Sequence, residues 1–350
     1  MSSEKPHFEP VISKTPDLPA IDFKSVGAEA PVWIDSKTNF LTEADAVVMT
    51  WTAAEWAALN QVFCVGDTPM TYEERENSYW RGWHRYDADL PSYPEWDFWC
   101  YYTMVTIQGR KVMLIKSNTH LDFPGQQYLE EFISRVNEYV KPKVFLSIGT
   151  AGGTRLQDHE GTVNIVNSGT FHPKKVDDPA DWPVYANSWK ADWSTVEHKG
   201  FKDLLFPVPT TEDDLESIVE QYNKFYEEKF TLKELNPGNV NMADPAPKLN
   251  NYTNEKMSLI TVASFIVATT DNKYDEYAVM EMDDAIIGKV CLESNTPFGF
   301  FRNISDPVQS KDISVENQTN WGGAIYKTYG LYTSFNGALA AWAVLNSQLK

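Results

Sequence analysis

Three carboxylates define the chemistry this chain can offer. Glu281 and Asp283 straddle Met282 where an apolar run closes, and Asp306 follows a second apolar stretch that begins at Pro297. Strand ends of this kind bring all three acids to one cleft, which suits a polar substrate. Asp306 precedes Pro307, and a Ser-Asp-Pro triplet by itself reads as a turn. Burial of the same side chain would favour its protonated form and make it an acid. A fourth acid, Glu55, falls in the first turn of a helix predicted from Ala53 to about Phe63 behind the cap Thr52, where a carboxylate also favours the helix dipole. His120 reads on its own as a loop histidine. Gly149, Gly152 and Gly153, after the apolar run ending at Ile148, let the main chain approach a ligand without Cβ atoms in the way. Their spacing is not the G-x-G-x-x-G of dinucleotide sites.

The elements that must position these groups follow from periodicity. Ala46 to Thr50 and Lys143 to Ile148 read as buried strands, and Tyr101 to Ser117 as a hairpin turning at Gln108-Gly109. Helices are predicted from Gln126 to Tyr139, from Glu212 to Glu228 behind Thr211, from Met282 to Glu293 and from Tyr332 to Leu349. A β-branched run covers Ser258 to Ala268, and Phe298 to Ile304 is the strand that leads to Asp306. This alternation predicts a layered α/β fold. Residues 1–44, rich in proline, read as an N-terminal arm. Residues 45–350 read as one domain with insertions near 66–102 and 173–255. The aromatic side chains crowded between Tyr79 and Tyr102 are expected to pack on the core or on a subunit partner.

Composition narrows the partners. A chain of 350 residues with 42% apolar content can bury a substantial core. Its 49 acidic against 30 basic residues, a net charge of −19, disfavour approach to nucleic acid or an anionic membrane, so a small molecule is the expected partner. The three cysteines are too few and too scattered for a disulfide framework or a CxxC metal site. With neither a signal-peptide pattern nor a membrane-length apolar stretch in the sequence, a cytoplasmic location is expected.

Taken in order, the Glu55 opening, the glycine turn, Ser264-Phe265-Ile266, Glu281-Met282-Asp283 and Ile304-Ser305-Asp306 resemble the nucleoside phosphorylase/nucleosidase family, over roughly residues 45–347. The resemblance implies a three-layer α/β/α sandwich around a twisted mixed β-sheet, a homodimer, no cofactor and no metal. It implies hydrolysis of the N-glycosidic bond of a purine nucleoside. Asp306 would protonate the leaving base, and Glu55 would orient and deprotonate water. Asp283, with Glu281, would hold the ribose hydroxyls, and Met282 would pack along the sugar. Phe265 and Ile266 would contact the base, Ala151 and Gly152 would line the site, and His120 would reach the sugar's 5′ side. Asp283 departs from the family's glutamate, so its carboxylate reaches about 1.5 Å less far. A phosphorylase and a non-catalytic nucleoside-binding or storage protein are the alternatives. The first needs an arginine set for phosphate that the sequence does not display; the shortened Asp283 favours the second.

Overall fold

Alternation along the central strands sends successive side chains to two different layers. The computed structural model describes residues 8–12, 16–34, 40–66, 69–71, 82–172, 182–236, 248–263, 266–271 and 273–349. Its strands are β1 (Val32–Ile34), β2 (Ala46–Thr50), β3 (His84–Tyr86), β4 (Cys100–Ile107), β5 (Arg110–Ser117), β6 (Val144–Gly152), β7 (Val163–Val166), β8 (Ser168–His172), β9 (Val184–Ala186), β10 (Leu249–Asn251), β11 (Leu259–Val262), β12 (Met280–Glu281) and β13 (Phe298–Asp306). Its helices are α1 (Ala53–Phe63), α2 (Gln126–Val140), α3 (Ser194–Glu197), α4 (Glu212–Tyr226), α5 (Leu232–Leu235), α6 (Asp284–Glu293) and α7 (Val315–Gln348). Ala46 and Val48 of β2 pack in one core with α1 and α7, whereas Val47 and Met49 pack in another with α2 and α6. That is the period-2 consequence of a strand buried on both faces, and it makes the expected α/β/α sandwich.

Among the described residues the strands form one mixed sheet with the main order β1-β4-β5-β2-β6-β12-β11-β8-β9. β6 is its hub: it runs parallel to β2 and to β13, and antiparallel to β12. The ends of β2, β6, β12 and β13, which carry Ala151, Gly152, Glu281 and Asp306 and lead into Glu55, Met282 and Asp283, therefore meet.

Two helix starts differ from the sequence reading. α6 begins at Asp284, two residues after the predicted Met282. α7 begins at Val315, well before the predicted Tyr332. Its opening residues Val315 and Glu316 are exposed, so apolar periodicity sets in only later. The cap is local: the Ser314 hydroxyl accepts from the Asn317 N–H at 3.2 Å.

Tyr79 and Trp80 lie outside the described residues, but the rest of the aromatic stretch packs on its own chain. Trp99 stacks on Phe132 of α2 with centroids 5.8 Å apart, and Trp96 meets Trp99 edge-on at 4.7 Å. Both indole N–H groups find carbonyls, Asn118 for Trp96 and Ala88 for Trp99. Within residues 1–44, Leu18, Ile21, Phe23 and Val26 are buried, and β1 pairs antiparallel with β4. In the 173–255 region, α4 carries the predicted cap, Thr211 and Asp214 forming a reciprocal capping box. Cys64, Cys100 and Cys291 are free thiols, and burial pushes Cys64 and Cys291 up to about 12. No helix among the described residues is long and apolar enough to cross a membrane.

Candidate functional site

The β2–α1 junction builds the first part of the site. Thr52 caps α1 by accepting from the Glu55 N–H at 3.3 Å, and the Glu55 carboxylate returns the contact by accepting from the Thr52 N–H at 2.9 Å. This capping box turns Glu55 inward, where it is buried. The same Oε2 also accepts from the Trp51 N–H at 3.0 Å and the Thr50 hydroxyl at 2.9 Å. Oε1 accepts from the Thr150 N–H and hydroxyl, both at 2.7 Å. Five donors thus converge on a group with about four lone-pair sites. Burial alone would raise this carboxyl, but the Arg302 guanidinium and these hydrogen bonds outweigh it and hold Glu55 below the usual range.

Arg302 interrupts the apolar strand β13 and is the cation at the centre of the site. Its Nε and Nη2 grip Asp284 at 2.6 and 2.5 Å, a bidentate pair, and Nη2 also donates to the Ser147 hydroxyl at 2.9 Å. Glu281 lies 3.4 Å from the same nitrogen, and the guanidinium sits 5.2 Å from the Trp51 ring centroid. Gly149 of β6 is required here, because a Cβ would stand 2.3 Å from Arg302 Nη1. Burial, then the neighbouring Asp284, pushes the Glu281 carboxyl above its ordinary range. Glu281 also closes the start of α6: its Oε2 accepts from the N–H groups of Asp283 and Asp284 at 2.6 and 2.9 Å, and the Thr261 hydroxyl donates to its Oε1.

Replacing Arg302 with Met is expected to destabilise the protein by roughly 3–5 kcal/mol at neutral pH, because it strands buried carboxylates without a counter-charge. Protonating Asp284 and Glu281 removes that charge, so the deficit should shrink on acidification. Urea unfolding at two pH values checks this; a variant as stable as the parent at neutral pH would contradict the described network.

Asp283 is buried and committed to two partners. Its Oδ1 accepts from the Leu121 N–H at 2.9 Å, and its Oδ2 lies 3.0 Å from His120 Nδ1. Burial opposes a charge on His120, yet Asp283 and Asp122 outweigh it and raise the imidazole above its ordinary value. A close His120–Asp283 pair therefore stands where the sequence placed one free carboxylate.

Asp306 closes β13 just past an irregularity in its pairing with β6. Its Oδ1 accepts from the Ser305 hydroxyl at 2.7 Å, and burial raises its carboxyl above the usual range. A Cβ on Gly152 would stand only 3.1 Å from Asp306 Oδ2, so glycine at that position leaves the acid room to face the cleft.

These groups line one cavity of about 250 Å³, near the lower end of small-ligand pockets at roughly 300–1,000 Å³. Glu55, His120, Ala151 and Gly152 come to it from one half of the sequence, and Ile266, Glu281, Met282, Asp283 and Asp306 from the other. Phe265 lies outside the described residues. The sequence reading missed Trp51, Thr150, Arg302 and a wall from α7 formed by Gly322, Gly323 and Tyr326. Arg302 left one signal: a lone charge within residues 298–305, directly behind the apolar run 298–301, demands a buried counter-charge. Among the described residues no group of three His, Cys, Asp or Glu side chains could hold a metal ion.

No family model matches the chain, and no curated protein matches it. Among solved structures it is similar to the 5′-methylthioadenosine/S-adenosylhomocysteine nucleosidase of Neisseria meningitidis in complex with methylthio-immucillin-A, with 12% identity, 87% of this chain and 99% of that chain covered, and a TM-score of 0.46. A point mutant of the Helicobacter pylori nucleosidase with 5′-methylthioadenosine in its active site aligns at 9% identity over 87% of this chain and 100% of that chain, TM-score 0.47. Futalosine hydrolase of H. pylori strain 26695 aligns at 9% identity over 89% and 100%, TM-score 0.45. At such identities and scores the likeness says nothing about substrate, and the site stands on its own residues.

Proposed function

We propose that the protein hydrolyses the N-glycosidic bond of a purine nucleoside, releasing free base and sugar. The observation that carries this reading is the occupancy around Glu55. The Trp51 and Thr52 N–H groups, the Thr50 hydroxyl and both donors of Thr150 are what an incoming phosphate would need, and the Glu55 carboxylate takes them all. Arg302 is likewise absorbed by Asp284 and Glu281. An internal anion in this position disfavours phosphate and leaves water as the nucleophile.

In this reading the buried Asp306, held toward its acid form, protonates a ring nitrogen of the purine as the bond breaks. The electron pair of that bond leaves with the base, and the sugar gains oxocarbenium character. Glu55, held ionised, stabilises that positive charge and, by exchanging one of its five donors, accepts a hydrogen bond from the water that adds to the sugar carbon. A carboxylate with a lowered pKa is a weak base, but water attacking a cation needs only late removal of its proton. Met282 and Ile266 supply apolar contact, and the His120–Asp283 pair faces the sugar.

A second reading, a nucleoside-binding protein without turnover, draws on Asp283: with both oxygens engaged, it has little capacity left for ribose hydroxyls. One experiment separates these readings. Purine nucleosides incubated with the protein, with and without phosphate, are expected to yield free base at a phosphate-independent rate together with a reducing sugar. Sugar 1-phosphate formed only when phosphate is present would favour a phosphorylase. Binding without any free base would favour the non-catalytic protein.

A further inference from the structure

Gly322 and Gly323 stand together in the interior of α7, where glycine is a poorer helix former than alanine. Packing accounts for the first: a Cβ on Gly322 would lie 3.4 Å from Asp306 Cβ, so its absence keeps the helix close to the acid. It does not account for the second. A Cβ on Gly323 would meet no heavy atom of the described residues within 4 Å, and its backbone is helical with no positive φ. Tyr326, on the same face of α7 at i+3 spacing, does not cover this place either. Its ring lies over the next turn, where a Cβ on Gly330 would stand 2.8 Å from Tyr326 Cε2. Gly323 therefore floors an open notch in the cavity wall, next to the glycine that packs on Asp306. Asp306 lines the same cavity, with Oδ1 on the Ser305 hydroxyl and Oδ2 on no donor among the described residues.

We propose that Gly323 is a specificity-determining residue, and that its notch accepts an alkyl group carried on the 6-amino substituent of the purine. The inference rests on the acid role given to Asp306 above. When the bond to the sugar breaks, its electron pair falls to N9 and is delocalised through C8 onto N7, so N7 is the ring nitrogen that an acid serves. The 6-substituent shares an edge of the purine with N7. With N7 at Asp306, that substituent meets α7 at the glycines. Gly323 has no polar side chain to offer it, and the apolar side chains of Val262, Ile266 and Met280 line the same cavity, so an alkyl group suits the place better than a polar one. A bare amino group leaves the notch unfilled and forfeits its contacts. Alanine at 323 would improve the helix and narrow the notch, so glycine there serves the ligand and not the fold.

The test pairs thermal melts with calorimetric titration by adenine and N6-methyladenine, run beside base release from the two corresponding nucleosides. Gly323→Ala is expected to melt about 1–2 °C above the parent, since it gains helix propensity and clashes with nothing. The parent should bind N6-methyladenine no more weakly than adenine. Gly323→Val, whose new residue is still a better helix former than glycine, should shift that affinity ratio about ten-fold or more against the methylated base, the usual worth of one methyl group in a fitted pocket. A ratio unmoved in Gly323→Val overturns the notch, as does a parent that binds neither base or only adenine. A Gly323→Ala variant that melts below the parent overturns it as well, because glycine would then serve the backbone. Should Gly323→Val fail to fold, the ratio read in Gly323→Ala decides, with a smaller shift of the same sign expected. The titration needs no turnover, so the expected ratios in a parent that releases no base would end the hydrolase reading and leave the notch standing.

Discussion

Asp306→Asn is expected to lower the release of free base by roughly 10²–10⁴-fold, the usual worth of a general acid. The amide keeps the shape of the side chain and can still meet the Ser305 hydroxyl, but it has no acidic proton to give a departing purine. Because burial raises the Asp306 carboxyl in the folded protein, the stability it contributes is fully present below its unfolded pKa and is lost as pH rises through the folded one. The neutral Asn carries no such loss, so the variant should melt no lower than the parent at neutral or alkaline pH. Its residual activity should also lack the alkaline limb. Rates within a few-fold of the parent would remove Asp306 from the chemistry.

Glu55→Ala is expected to lose a comparable factor, roughly 10²–10⁴-fold, in phosphate-free base release, since it removes the group proposed to orient water. It also vacates a nest of five donors beside Arg302. Such a nest attracts oxyanions, so added phosphate should stabilise this variant against heat and leave the parent unaffected. Glu55→Gln is the sterner change than its size implies, because the amide nitrogen would face N–H and O–H donors and leave at least one buried donor unpaired, at roughly 1–3 kcal/mol. Assays of free base and melting curves with and without phosphate check both variants. Full activity in Glu55→Ala would exclude Glu55 from the reaction.

Much of the frame was legible from local pattern. Val47 and Met49 alternate with Ala46 and Val48, Thr52 and Glu55 have capping-box spacing, and Leu129, Phe132, Ile133 and Val136 mark one face of α2. Each signal is carried within a few residues, which is why the α/β layering could be read. The groups that converge on the cavity were legible through the order of their motifs, though their partners were not. Nothing local to Asp283 reveals that His120 and the Leu121 N–H will saturate it, since those contacts span a separation of 162 residues in the Leu121 case. Nothing local to Glu55 announces Thr150. The start of α7 was hidden for a different reason: its polar opening turns and the glycines at 322, 323 and 330 weaken both periodicity and propensity, and packing against the sheet and α1 supplies what they lack.

That last packing has a consequence for how the protein comes into being. The cavity needs Glu55 from α1 and the wall from α7, helices that lie in contact although most of the chain separates them. A nascent chain on the ribosome therefore has no binding site until α7 has been synthesised and docked, and until then the apolar face of Ala57, Ala58 and Val62 lies bare. Occupancy of the cavity thus requires completed folding.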